Sequence, residues 1–298
     1  IARSFGAKVI DFAWADSFAA ARNESLRHAT GRWILWLDAD ERLDTANRAR
    51  LEQLLSRLGS ENVGYLMRQS SQLEHGPQAV THVDQVRLFP NHPGLRWQYR
   101  VHEQILPGLR SLGADVQPTD IGITHVGFAD PRTQGPKVER NLRLLRLELQ
   151  ERPNDTFILY NLGAVAITQN RVDESLGYFE RCLALSTPGD HMLAKVHSLI
   201  ARGYQQQDRQ PEALAACRRG RQQFPEDPEL LFLEAVLLHQ RKDLAGAERA
   251  LREILRLPKR VSFAGSDSGL YSYRPRLFLT QILREQNRYA DAEATLSE

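Results

Sequence analysis

The chain has 298 residues, with 39 Lys plus Arg against 37 Asp plus Glu and a formal net charge of +2. That balance leaves no large basic excess to neutralise phosphates, which excludes an electrostatic nucleic-acid binder as the default reading. Hydrophobic residues at 42% and charged residues at 26% exclude global disorder, and the length suggests two domains. No apolar run reaches the roughly 18 residues that span a bilayer. Cys182 and Cys217 have no CxxC spacing and are too few for a disulfide framework, so a reducing, cytoplasmic setting is expected.

Ile1 to Phe5 reads as the tail of a helix, Gly6 as its stop and Ala7 to Ile10 as a short strand. The chain opens on Ile1, without Met or a signal peptide, and a domain that begins at a helix end reads as a fragment. Phe18 to Ala29 is predicted to be a helix capped by Asp16 or Ser17. Trp33 to Leu37 is a continuous apolar run, the pattern of a central parallel strand buried on both faces. It ends in Asp38-Ala39-Asp40-Glu41. In open α/β sheets the ligand site lies beyond the carboxyl ends of the strands. If the chain stays extended there, Asp38 and Asp40 point to one side and can address one cation.

All four tryptophans precede residue 130, where Gly127 to Pro131 and then Gly135-Pro136 mark a boundary. The expected domains are therefore residues 1–130, α/β, and 131–298, all-α. A helical pattern runs from about Lys137 to Gln150, with Leu142, Leu145 and Leu149 on one face. Beyond it the sequence repeats itself. Ser175, Ala213, Ala247 and Ala292 occupy matching places and step by 38, 34 and 45 residues. A helix-turn-helix unit of about 34 residues is the tetratricopeptide period. Pro188, Pro225 and Pro258 close the first three units, and the long last step fits a loop or insertion over Val261 to Tyr273. Small residues are needed where paired helices cross closely, with Gly163 facing the Ser175 region.

The first part carries further ordered motifs: Ala21-Arg22-Asn23, the apolar strand with Asp38-Ala39-Asp40-Glu41, Val86 to Pro90, Trp97 to Glu103, and Ile123 to Phe128. Together they resemble the family 2 glycosyltransferases of the GT-A fold, in the bacterial branch with tetratricopeptide repeats after the catalytic domain. The resemblance covers essentially the whole chain. It implies a partial GT-A sheet for nucleotide-sugar transfer, followed by a tetratricopeptide solenoid.

The resemblance implies transfer of a sugar from a nucleotide-sugar donor to a hydroxyl or thiol acceptor, with inversion, on a peptide or a cell-surface glycan. In the family the second aspartate of DxD binds Mg²⁺ or Mn²⁺, and the first contacts the ribose or the metal's water. These correspond to Asp40 and Asp38. A late histidine often adds a metal ligand, and His125 stands in that segment; its other reading is a structural histidine. Arg22 and Arg87 are candidate contacts to the nucleotide or leaving group, with Arg87 alternatively pairing with Asp84. An attacking acceptor must lose a proton, and Glu103 is the candidate base, with bracing of the acceptor loop as the alternative. Asp84 and Asp120 stand in reserve.

Complete family members begin with two further strand–helix units that Ile1 to Asp11 does not replace, so a piece of this extent is expected to be inactive or nearly so. The repeats are expected to hold a peptide or protein partner or to self-associate. A non-catalytic tetratricopeptide scaffold with a remnant transferase domain is the alternative function. His75, His82 and His92 show no ligand spacing.

Overall fold

A computed structural model describes residues 2–72, 80–126, 131–187, 190, 192–258 and 266–297. Gly127 to Asp130, His75, Pro188 and residues 261–265 of the expected 261–273 loop lie outside the described residues. The chain divides into two compact units, residues 1–69 with 85–153, and residues 70–84 with 154–298.

In the first unit a one-turn 3-10 helix over Ala2–Phe5 ends at Gly6, whose φ of 74° suits a residue without Cβ. The strand expected over Ala7 to Ile10 does not form. Residues 7–9 are exposed, and no described strand lies alongside to pair with them. Helix α1 (Phe18–Arg27) starts at Ser17, whose Oγ accepts the Ala20 N–H at 3.1 Å. Strands β1 (Trp33–Leu35), β2 (Glu41–Arg42), β3 (Val63–Gln72), β4 (Val80–Pro90) and β5 (Asp115–His125) follow, with helices α2 (Thr45–Leu55) and α3 (Leu106–Ser111) between them; residues 70–72 of β3 and 80–84 of β4 group with the second unit.

The strand order is β1-β4-β3-β5-β2. β1 pairs antiparallel with β4, Trp33 opposite Pro90, and β2 pairs antiparallel with β5, Glu41 opposite His125. The strand expected to be central, parallel and buried on both faces is, among the described residues, antiparallel to its one partner. β1 stands at one end of the order, and Leu35 and Leu37 are exposed.

Alternation along β4 sorts the core. Leu88 packs with Met67, Ile121, Ile123 and Leu51 of α2. Asp44 caps α2, and Asn47 ties it to β5 by accepting the Gly122 N–H at 2.8 Å. Arg87 and Phe89 alternate with Leu88 and meet Trp36 and Trp97 respectively. Helix α4 (Pro131–Glu151) groups with this unit and runs through Gly135-Pro136, which the sequence suggested as a break. Its leucine face holds it: Leu144 and Leu145 are buried, and the buried Glu148 accepts the Arg100 backbone N–H at 2.8 Å.

The second unit holds four helix pairs: α5 (Thr156–Thr168) with α6 (Val172–Leu185), α7 (Leu193–Gln206) with α8 (Gln210–Gln223), α9 (Pro228–Gln240) with α10 (Leu244–Ile254), and α11 (Tyr273–Glu285) with α12 (Tyr289–Ser297). A two-residue strand, β6 (Ser266–Asp267), pairs antiparallel with β4 at Thr81 and His82. The four small residues of the repeat, Ser175, Ala213, Ala247 and Ala292, are all buried. A Cβ on Gly163 would lie 2.5 Å from the Phe179 ring, and Ser175 Oγ donates to the Gly163 carbonyl at 2.9 Å. Close approach, as expected, requires these residues.

Each pair also turns in the same way. Asn170, Asp208, Lys242 and Asn287 have φ of 57°, 58°, 63° and 62°, each five positions before its small residue. The next N–H reaches back across each helix end, as in Arg171 to Ala166 and Arg288 to Leu283, both 2.9 Å. This is the left-handed helix stop that satisfies otherwise orphaned carbonyls.

Candidate active site

The apolar run leaves β1 and enters a tight turn. Glu41 N–H donates to the Asp38 carbonyl at 3.0 Å, and Glu41 Oε2 accepts the Asp38 N–H at 2.8 Å. The chain is therefore not extended over Asp38 and Asp40, and the two carboxylates take different partners. Arg22 Nη2 donates to Asp38 at 2.9 Å. His125 Nε2 donates to Asp40 at 3.0 Å, helped by the Val126 N–H on the Asp40 carbonyl at 2.8 Å. Among the described residues no three His, Cys, Asp or Glu side chains converge as a metal-holding group.

Glu103 reaches the same place from a different segment. Gln98 and Gln104 exchange backbone hydrogen bonds at 2.9 Å and pinch residues 99–103 into a closed loop. Tyr99 and His102 have positive φ, 73° and 57°. The loop leaves His102 exposed and turns the half-buried Glu103 onto Arg22 Nε at 2.5 Å. One guanidinium thus bridges Asp38 and Glu103. Burial works against its charge, but the two carboxylates outweigh that and raise its pKa above the ordinary value. Asn23 secures the neighbourhood by accepting the Trp97 N–H at 2.8 Å and donating to the Trp97 carbonyl at 3.0 Å. The Ala21-Arg22-Asn23 motif is thereby explained: one residue joins carboxylates, the next fixes the loop.

Arg87 is placed differently from the expectation of a cleft contact. Its side chain is 1% exposed, and both Nη atoms donate to Glu41 at 2.6 Å. The guanidinium carbon lies 3.7 Å from the centre of the Trp36 ring, and that of Arg22 lies 4.3 Å from it. Trp36 itself donates to the Val86 carbonyl at 2.7 Å and meets Trp97 edge to face at 5.0 Å. A cavity of about 450 Å³ adjoins this stack, lined by Arg22, Ser25, Trp33, Leu35, Trp36 and Trp97. Of the reserve carboxylates, Asp84 is buried and Asp120 is exposed beside Arg50.

Sequence reasoning missed the Arg87–Glu41 pair. The signal was there: a lone arginine between apolar residues of a strand demands a buried partner, but not which one.

A partial sheet with carboxylates at the end of a strand, followed by paired helices of fixed period, defines an α/β segment in a chain that continues into tetratricopeptide-type helical repeats. Residues 1–103 match the glycosyl transferase family 2 model, and residues 199–260 match that of a tetratricopeptide repeat. The chain is thus similar to family 2 glycosyl transferases over its first 103 residues and to tetratricopeptide repeats over residues 199–260. A TPR repeat-containing protein of Synechococcus elongatus is 30% identical over 201 residues, covering 63% of this chain and 47% of that protein. The chain spans about half the length of this curated relative. Similar solved structures include MamA (12% identity, TM-score 0.45, covering 57% of this chain and 91% of that one). Another is PilF of Pseudomonas aeruginosa (13% identity, TM-score 0.44, covering 55% and 67%). No described helix is long and apolar enough to cross a membrane.

Proposed function

We propose that the intact protein transfers a sugar from a nucleotide-sugar donor to a hydroxyl or thiol acceptor, on a peptide or a cell-surface glycan, with inversion. One observation carries the reading: a single guanidinium, Arg22, gathers Asp38 from the turn after β1 and Glu103 from the pinched loop. Donor-side and acceptor-side carboxylates of the family pattern therefore stand together, beside a cavity in the size range of small-molecule sites.

Asp40 and His125, already 3.0 Å apart, fit a hard divalent cation, which commonly takes one or two protein ligands and fills its shell with water and phosphate oxygens. Bound there, Mg²⁺ or Mn²⁺ would offset charge developing on the diphosphate. Arg22 adds a positive group to the same end of the sheet. Glu103 accepts the proton of the attacking acceptor once its carboxylate is released from Arg22. Arg87 and Glu41, both buried, hold the turn and the Trp36 ring beneath these groups. The repeats supply a surface for a peptide or protein partner or for self-association. A pocket of about 520 Å³ between α9 and α11, lined by Phe232, Tyr273, Leu277 and Phe278, supports that role. Cys182 and Cys217 are free thiols, which supports a reducing, cytoplasmic compartment.

Incubation of the intact protein with a panel of nucleotide-sugars, followed by mass spectrometry of products, tests the proposal. Glu103→Gln is expected to keep donor binding and to lower transfer by about 10²–10⁴. A wild-type protein that transfers nothing would instead favour the scaffold reading, to which the name of the Synechococcus relative lends itself.

A further inference from the structure

Asp38 has a cation already. The Arg22 fork holds it at 2.9 Å while gripping Glu103 at 2.5 Å, and the same guanidinium lies 4.3 Å from the centre of the Trp36 ring and 5.0 Å from that of Trp97. A planar donor set that satisfies two carboxylates and two aromatic rings is held in place from several sides. Asp40, two residues on, is turned away to His125. We propose that Arg22 is a positioning residue that withholds Asp38 from a divalent cation. The cation is taken first by Asp40 and His125, and Asp38 is added only when anionic oxygens draw Arg22 away.

The same exchange releases Glu103. One guanidinium cannot keep both carboxylates while turning to a diphosphate, so donor arrival would free the acceptor-side carboxylate at the moment it is needed. This rests on the metal part of the proposed function, and the measurement separates the two.

Mn²⁺ binding to this chain, with no nucleotide present, is read by electron paramagnetic resonance of the free ion. Asp40→Ala is expected to abolish binding. Asp38→Asn alone is expected to leave the affinity within about twofold of wild type, because Asp38 is held elsewhere. Arg22→Gln frees Asp38 and is expected to tighten Mn²⁺ binding about thirtyfold, the scale of a divalent ion with one added unit charge about 4 Å away in water. Arg22→Gln with Asp38→Asn should return to the wild-type value. Arg22→Lys, which keeps the charge without the fork, should fall between wild type and Arg22→Gln and guards against misfolding of the glutamine variant.

Loss of Mn²⁺ binding in Asp38→Asn as severe as in Asp40→Ala would overturn the inference. So would a tightening by Arg22→Gln that survives removal of Asp38, since the gain would then be general electrostatics. Wild-type binding that is untouched by Asp40→Ala, or no binding in any variant, removes the metal reading itself and the inference with it.

Discussion

At the scale of single residues, the most consequential pair is Arg87 with Glu41, neither more than 1% exposed at its side chain. Their mutual attraction offsets a large desolvation cost, so removing one partner strands the other. Arg87→Met is expected to destabilise the first unit by about 3–5 kcal/mol in urea unfolding, and the double substitution with Glu41→Leu to recover much of that. A second residue-scale effect is pH-dependent. Arg143 donates two hydrogen bonds to Asp16 at 2.6 and 2.8 Å, which with the Trp14 indole N–H outweighs burial and lowers the carboxyl pKa to about 2. A carboxyl with a depressed folded pKa contributes stability that is fully present above its unfolded value near 4 and is lost as pH falls through about 2. The stability gap between wild type and Asp16→Asn should therefore stay constant above about pH 4 and narrow below it. A gap that is flat down to pH 2 in acid-unfolding measurements would mean that the ion pair contributes nothing.

Elements were legible where a pattern repeats. The spacing of Ser175, Ala213, Ala247 and Ala292 located four helix pairs, because close helix crossings leave no choice of side chain there. The left-handed turns five residues earlier were not read from the sequence, although three of the four positions carry Asn or Asp, which tolerate that conformation. Lys242 is the exception, exposed and at a φ of 63°. Lys242→Asn is expected to raise the stability of the repeats by about 0.5–1 kcal/mol, measured by thermal unfolding, because a long side chain is strained in this region. No change would mean that the turn is already relaxed. The first unit was harder to read. An apolar run such as Trp33 to Leu37 fits a doubly buried strand or a half-exposed one, and only tertiary neighbours decide which. The turn at Asp38 to Glu41 likewise depends on a glutamate side chain folding back onto the backbone, which spacing does not encode.

At the scale of the whole molecule, the order of motifs was more legible than their geometry. Asp38, Asp40, Glu103, Arg22 and His125 were singled out from 104 residues of chain, and the structure gathers them in one unit as a trio joined by Arg22 and the pair Asp40–His125. Arg87 was singled out for the wrong neighbour, since a strand residue's facing partner is set by topology rather than by sequence distance. In the second unit both thiols are pushed up by burial, Cys182 to about 11 and Cys217 to about 12, which marks them as packing groups rather than nucleophiles. The proposed chemistry thus turns on the first unit, where Asp38, Asp40 and Glu103 lie. The most direct measurement is calorimetry of the intact protein with UDP-, GDP- and dTDP-sugars, with and without Mn²⁺. At least one donor should bind only with the cation, and Asp40→Ala should lose that binding while unfolding at the wild-type temperature. Binding of no donor, or donor binding unchanged in Asp40→Ala, would contradict the account.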